Sequence, residues 1–162
     1  MTIHKINTKT IARIAAIQTF YQYQLDNDHD IDLLMNKTIG FYQDKEFLLD
    51  LDLSADNRIK IKPSVTYLRE LVKLTSENIS VIDQVIIDHL TDNNTMANLS
   101  ILLLALLRIA VCELKYFPEI PRKVIINEYT DIASDMITEH EVGFVNSMLD
   151  NIAKDIKIVQ EG

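Results

Sequence analysis

Glycine and proline are scarce, with three of each in 162 residues, and tryptophan is absent. So little turn material argues against a fold of many short strands, each needing its own turn, and favours a few long helices. A single cysteine, Cys112, excludes an internal disulfide and leaves no cysteine partner for a zinc cluster. Because Cys112 lies inside an apolar run, the sequence predicts a buried thiol that packs as a small hydrophobe. The histidines at 4, 29, 89 and 140 lack metal-ligand spacing, and there is no glycine-rich phosphate loop or nucleophile elbow. Neighbouring acids such as Asp131 with Asp135, or Glu139 with Glu141, read as a solvated face rather than an acid/base pair. The expectation is a chain without catalytic residues, metal or cofactor. The longest uncharged stretch, Thr95 to Leu107, is too short to span a bilayer, and no apolar leader precedes residue 25, so the expected location is cytoplasmic.

What is present is an ordinary globular balance, 48% hydrophobic and 25% charged, with enough chain to bury a core unaided. The formal net charge is -8, which opposes contact with a polyanion unless the positive charge is concentrated. It is concentrated: of the 16 basic residues, Lys5, Lys9 and Arg13 stand in the first 25 positions with no acid among them, leaving 13 against 24 acids in the rest. Spaced by four, the three form one stripe on a helix that begins early enough.

Helical period recurs along the chain. Ile11, Ile14, Gln18, Tyr21 and Leu25 mark a first amphipathic helix over 9–25. A less regular one is expected over 31–49, weakened by Gly40, followed by a polar connecting loop over 50–62. After Pro63, the series Leu68, Val72, Thr75, Ile79, Ile82, Ile86 and Leu90 predicts one continuous helix of seven turns. The run from Leu99 to Phe117 is apolar on all sides and is expected to be enclosed by neighbours, with Arg108 and Glu113 needing buried partners, each other or third groups. Pro121 opens a helix with the stripe Ile125, Tyr129, Ile132, Ala133 and Met136. Thr138 and Glu141 form a capping-box pattern before the last helix, whose stripe is Val142, Val145, Leu149, Ile152 and Ile156. The expected fold is all-α.

Three ordered motifs carry a resemblance. They are Leu107-Arg108-Ile109-Ala110 with Glu113-Leu114, then the run from Ile120 through Pro121 and Lys123 to Asn127-Glu128, then Phe144-Val145-Asn146-Ser147-Met148-Leu149-Asp150. In order and spacing the chain resembles the NusB family of transcription antitermination factors over 9–25 and 64–157, whereas 26–63 matches poorly. The resemblance implies a bundle of about six to seven helices in two packed subdomains, about 1–62 and 63–162, and an adaptor rather than an enzyme. It implies binding of single-stranded boxA-type RNA together with the ribosomal protein NusE, leading indirectly to other Nus factors and RNA polymerase. By matching position, the RNA-facing candidates are Lys9, Arg13 and Phe144, with Lys5, Lys123 and Asn146 behind them, and Tyr21 is the candidate for the protein partner. Cations would fix phosphates and the aromatic would stack on an unpaired base.

The chain also departs from the family pattern. Thr10 and Ile11 stand where arginine is usual, Ser147 replaces a glycine, and Met96 to Leu104 is more apolar than in relatives. Fewer phosphate contacts predict weaker, more partner-dependent RNA binding. The apolar stretch keeps open an alternative: a helical protein-interaction module, homodimeric through that stretch, that has lost strong RNA binding.

Overall fold

A computed structural model describes residues 7–26, 30–44, 48–49, 59–60, 62–91 and 94–161. Among these, seven α-helices run α1 (Thr8–Leu25), α2 (Ile31–Asp44), α3 (Val65–Glu77), α4 (Ile79–Asp88), α5 (Ile101–Tyr116), α6 (Arg122–Met136) and α7 (Glu139–Glu161), with a 3₁₀ turn at Met96–Asn98. The fold is all-α. A two-residue antiparallel pair, β1 (Leu48–Leu49) with β2 (Ile59–Lys60), is the one extended feature of the described residues. That pairing corrects the expectation of helix to residue 49; most of the expected loop lies outside the described residues.

The helix ends follow local chemistry. Asn7 caps α1 by accepting the backbone N–H groups of Lys9 and Thr10 at 3.0 Å each. Ser64 caps α3 through Tyr67, and Ser100 caps α5 through Leu103. The capping box at α7 forms as read: Thr138 Oγ1 accepts from the Glu141 N–H at 3.3 Å while Glu141 Oε1 accepts from the Thr138 N–H at 3.2 Å. The long third helix, however, is two helices. Asn78, at φ -119° and ψ 25°, interrupts it, and its side-chain amide donates to the Leu74 carbonyl at 2.9 Å. Leu68, Val72, Ile82 and Ile86 are all buried on both sides of the break, so the apolar period runs through a kink it cannot register.

α5 is the hub, contacting α1, α3, α4, α6 and α7, and buried residues from every helix join in one cluster. Ala105, Leu106, Leu107, Ile109, Ala110, Val111 and Cys112 are wholly inaccessible, as the all-round apolar run requires. Burial pushes the Cys112 thiol up to about 12, so it packs as a neutral group. The expected α1 stripe is turned from the true core face. Ile11 is buried, but Gln18 and Leu25 are exposed, and the interior face consists of Ala12, Ala15, Ala16, Ile17 and Phe20. Alanines carry little hydrophobic weight in a periodic reading, yet their size lets two helices approach closely. No described helix is long and apolar enough to cross a membrane.

Candidate nucleic-acid interface

The amino end of α1 is fastened to its surroundings by a buried polar clamp. Arg13, only 2% exposed, donates from Nε to Glu113 Oε1 at 2.9 Å and from its terminal nitrogens to Glu113 Oε2 and Glu128 Oε1, each at 2.7 Å. Tyr129 donates its hydroxyl to Glu113 Oε1 at 2.7 Å, and Thr10 donates to Glu128 Oε1 at 2.9 Å. Burial works against the Arg13 charge, but the hydrogen bonds and charge of Glu113 prevail and hold the guanidinium above its ordinary range. Burial, then the Glu113 charge, raises the Tyr129 phenol well above its usual value and raises Tyr67 as well. One cation between two carboxylates leaves the clamp with a net charge of about -1, so it offers nothing positive to a phosphate. Arg13 is therefore an interior tie between α1, α5 and α6, which corrects its expected place on an RNA face.

Lys9 is different. It lies one turn before Arg13, exposed, with its ammonium 5.2 Å from the centre of the Tyr67 ring. The Ser64 N–H donates to the Thr8 carbonyl at 3.0 Å, which fixes the start of α3, and so Tyr67, beside the start of α1. Lys5 lies outside the described residues.

The remaining candidates fall in three places. Lys123 and Asn146 meet in an open groove of about 500 Å³ between α6 and α7, also lined by Arg122, Asn127, Asp150 and Lys154. Asn146 Oδ1 lies 3.3 Å from the Thr130 hydroxyl, joining the two helices at mid-length. Phe144 points the other way from α7. It is half-buried in a recess of about 230 Å³ with Asn98, Leu99, Ser100, Leu103 and His140. Tyr21, also half-buried, lines a groove between α1 and α2 with Gln18, Gln22, Lys37, Phe41 and Tyr42. Arg122, Asn127 and Lys154 were not among the sequence candidates for RNA contact, although Asn146, Asp150 and Lys154 follow a four-residue spacing that places them on one helix face.

Arg108 and Glu113 do not pair with each other. Arg108 binds Asp83 through two nitrogens at 2.8 Å each and Gln24 at 2.9 Å, and Gln24 donates to the Ile101 carbonyl at 2.7 Å, so α1, α4 and α5 are tied at the opposite end of α1. Beside this tie Leu25 and Ile101 are 53% and 45% exposed, next to a recess lined by Tyr23, Ile79 and Leu104. No cluster of His, Cys, Asp or Glu among the described residues has the arrangement of a metal site.

Comparison with known proteins supplies the family. The NusB family model matches residues 10–154. A transcription antitermination protein NusB from Rickettsia rickettsii (strain Sheila Smith) is 50% identical over 155 residues, covering 96% of this chain and 97% of the relative. Its counterpart from Rickettsia bellii (strain OSU 85-389) is 48% identical over 157 residues, 97% of each chain. Among solved structures, T. maritima NusB superposes with a TM-score of 0.71 at 27% identity, covering 92% of this chain and 93% of that one. A chain from the crystal structure of antitermination factors NusB and NusE in complex with dsRNA gives a TM-score of 0.72 over 90% of this chain and 96% of that one; at 22% identity it speaks for the fold. The chain belongs to the NusB family, whose members are transcription antitermination proteins rather than enzymes.

Proposed function

We propose that the protein is an antitermination adaptor that binds a short single-stranded boxA-type RNA together with the ribosomal protein NusE. The observation that carries this reading is the Arg13–Glu128–Thr10 clamp, which holds the Lys9 end of α1 against α6, the helix that bears Lys123. Lys9, Lys123 and Asn146 are the cationic and amide contacts of the RNA face, and Phe144 is a stacking platform on the far side of α7. A chain of the same fold solved with NusE and dsRNA supports the two partner classes, NusE and RNA. Tyr21, and the exposed Leu25 and Ile101 beyond it on α1 and α5, are the protein-facing side. With few cations on the RNA face, affinity is gained by engaging RNA and protein at once, through effective concentration rather than intrinsic strength.

The exposure of Ile101 within the apolar stretch from Met96 to Leu104 also favours a second reading, a protein-interaction module, homodimeric through that stretch, with strong RNA binding lost. Fluorescence anisotropy of a labelled boxA-like RNA, titrated with the protein alone and with NusE at two salt concentrations, separates the two. Salt-sensitive binding that NusE strengthens supports the adaptor. No binding by folded protein in either condition leaves the interaction module.

A further inference from the structure

Lys9 is exposed at the start of α1, and a lysine so placed ordinarily samples many rotamers, so an RNA that captures it must bear the cost of ordering it. Here the ammonium stands 5.2 Å from the centre of the Tyr67 ring, and the Arg13 guanidinium, one turn along α1, lies 5.5 Å from the same centre. The ring is firmly held. Tyr67 is only 7% exposed, packs on Phe117 with ring centroids 5.1 Å apart, and donates its backbone N–H to the Ser64 cap of α3. The Ser64 N–H bond to the Thr8 carbonyl then ties the start of α3 to the residue before Lys9, so ring and lysine are registered by backbone as well as by side chain. The contacts of Tyr67 with Phe117 and Arg13 are interior and serve packing, whereas its contact with Lys9 is at the surface. A cation over an aromatic face is attracted through the ring quadrupole and uses none of the three ammonium N–H donors. Those donors stay available for phosphate oxygens.

We propose that Tyr67 is a positioning residue for RNA binding: its fixed ring holds the Lys9 ammonium in place, so that Lys9 meets a backbone phosphate already ordered. The inference rests on the RNA-binding reading above and deepens it, since a face with few cations gains most from having one of them preorganised. Tyr67 itself is too enclosed to stack on a base and acts only through Lys9.

The test is a double-mutant cycle in which a fluorescein-labelled boxA-like single strand is titrated, with NusE present and across a salt series, with the parent, Tyr67→Leu, Lys9→Gln and the double variant, and with Tyr67→Phe. Thermal melts confirm that each is folded. Lys9→Gln removes a phosphate contact and lowers the salt slope by about 0.7. Tyr67→Leu leaves the cation but frees it, so affinity falls about two- to tenfold at the parent slope, and Tyr67→Phe, which keeps the ring, restores the parent affinity. In the Lys9→Gln background Tyr67→Leu costs nothing further. Unchanged affinity for Tyr67→Leu, or an equal loss with and without Lys9, makes Tyr67 a packing residue only and leaves the RNA reading standing. Failure of the parent to bind, with and without NusE, overturns both. Should Tyr67→Leu not fold, proton NMR of the parent decides: ring current shifts the Lys9 ε-methylene protons upfield if the ammonium is held over Tyr67, and random-coil positions overturn the proposal.

Discussion

Two cations one helical turn apart, Arg13 and Lys9, show how differently one helix can use positive charge. Arg13 is enclosed, with both carboxylate partners and a phenol gathered around it, and it joins three helices. Lys9 is exposed against the face of Tyr67 and joins none of them by a hydrogen bond among those described. The same difference separates the interior clamp from the exposed Lys123 in the first turn of α6: in one, charge is neutralised to hold the fold, and in the other it is presented. Inside, removing one partner strands the other; outside, water replaces whatever is removed.

The sharpest way to break the comparison is at Glu113. Glu113→Ala leaves Arg13 buried with one carboxylate and the Tyr129 hydroxyl without its acceptor, and is expected to cost about 3–5 kcal/mol in urea unfolding. A change within about 0.5 kcal/mol, the range for a surface substitution, would mean that water reaches the clamp.

A second difference should appear in alkali. Burial pushes the Tyr42 phenol up to about 12, from an ordinary 10.0, with the hydrogen bond to Gln18 working in the other direction. A raised phenol pKa means that the folded state binds the proton more tightly. The stabilisation is full below the unfolded pKa and is lost as pH climbs from about 10 to about 12, a change of about 2–3 kcal/mol for two pK units. Denaturant midpoints followed through this window should fall for the parent and fall less steeply for Tyr42→Phe, which has no proton to lose. Equal slopes would show that Tyr42 is solvated.

Smaller effects belong to the surface. Thr138→Ala removes the reciprocal cap of α7 and should lower stability by about 1 kcal/mol, read as a shift in the urea midpoint at unchanged slope. Lys9→Gln should leave stability within about 0.5 kcal/mol but reduce the salt slope of RNA binding by about 0.7. If Lys9→Gln destabilises as Glu113→Ala does, the contrast between the two regions collapses.

Much of the fold was legible because it depends on composition and period. The all-α class, the enclosed α5, the caps at Thr138 and the core stripes of α6 and α7 all follow from residues within one or two turns of one another. Three things escaped. The face of α1 was misread because Ala12, Ala15 and Ala16 do their work by being small. The break at Asn78 was hidden because Leu68 to Val72 and Ile82 to Ile86 look onto one core. Arg13 was assigned to the surface because its partners, Glu113 and Glu128, lie 100 and 115 residues away and only folding brings them near. Lys123 and Asn146 were named as candidates, but the groove they share with Arg122 and Lys154 is made by two helices together.

α6 carries its charges against its own axis. Arg122 and Lys123 occupy the first turn and Asp135 the last, while the macrodipole favours the reverse at about 0.3–1 kcal/mol for each charge. Cut out as a peptide, this segment should be a poor helix, since Pro121 offers no side-chain cap and nothing local compensates. It is helical because Ile125, Tyr129, Ile132 and Ala133 are buried against their neighbours, so its order is borrowed from the core. A lesion in α5 would therefore be felt at this surface as loss of shape before any residue on it had changed.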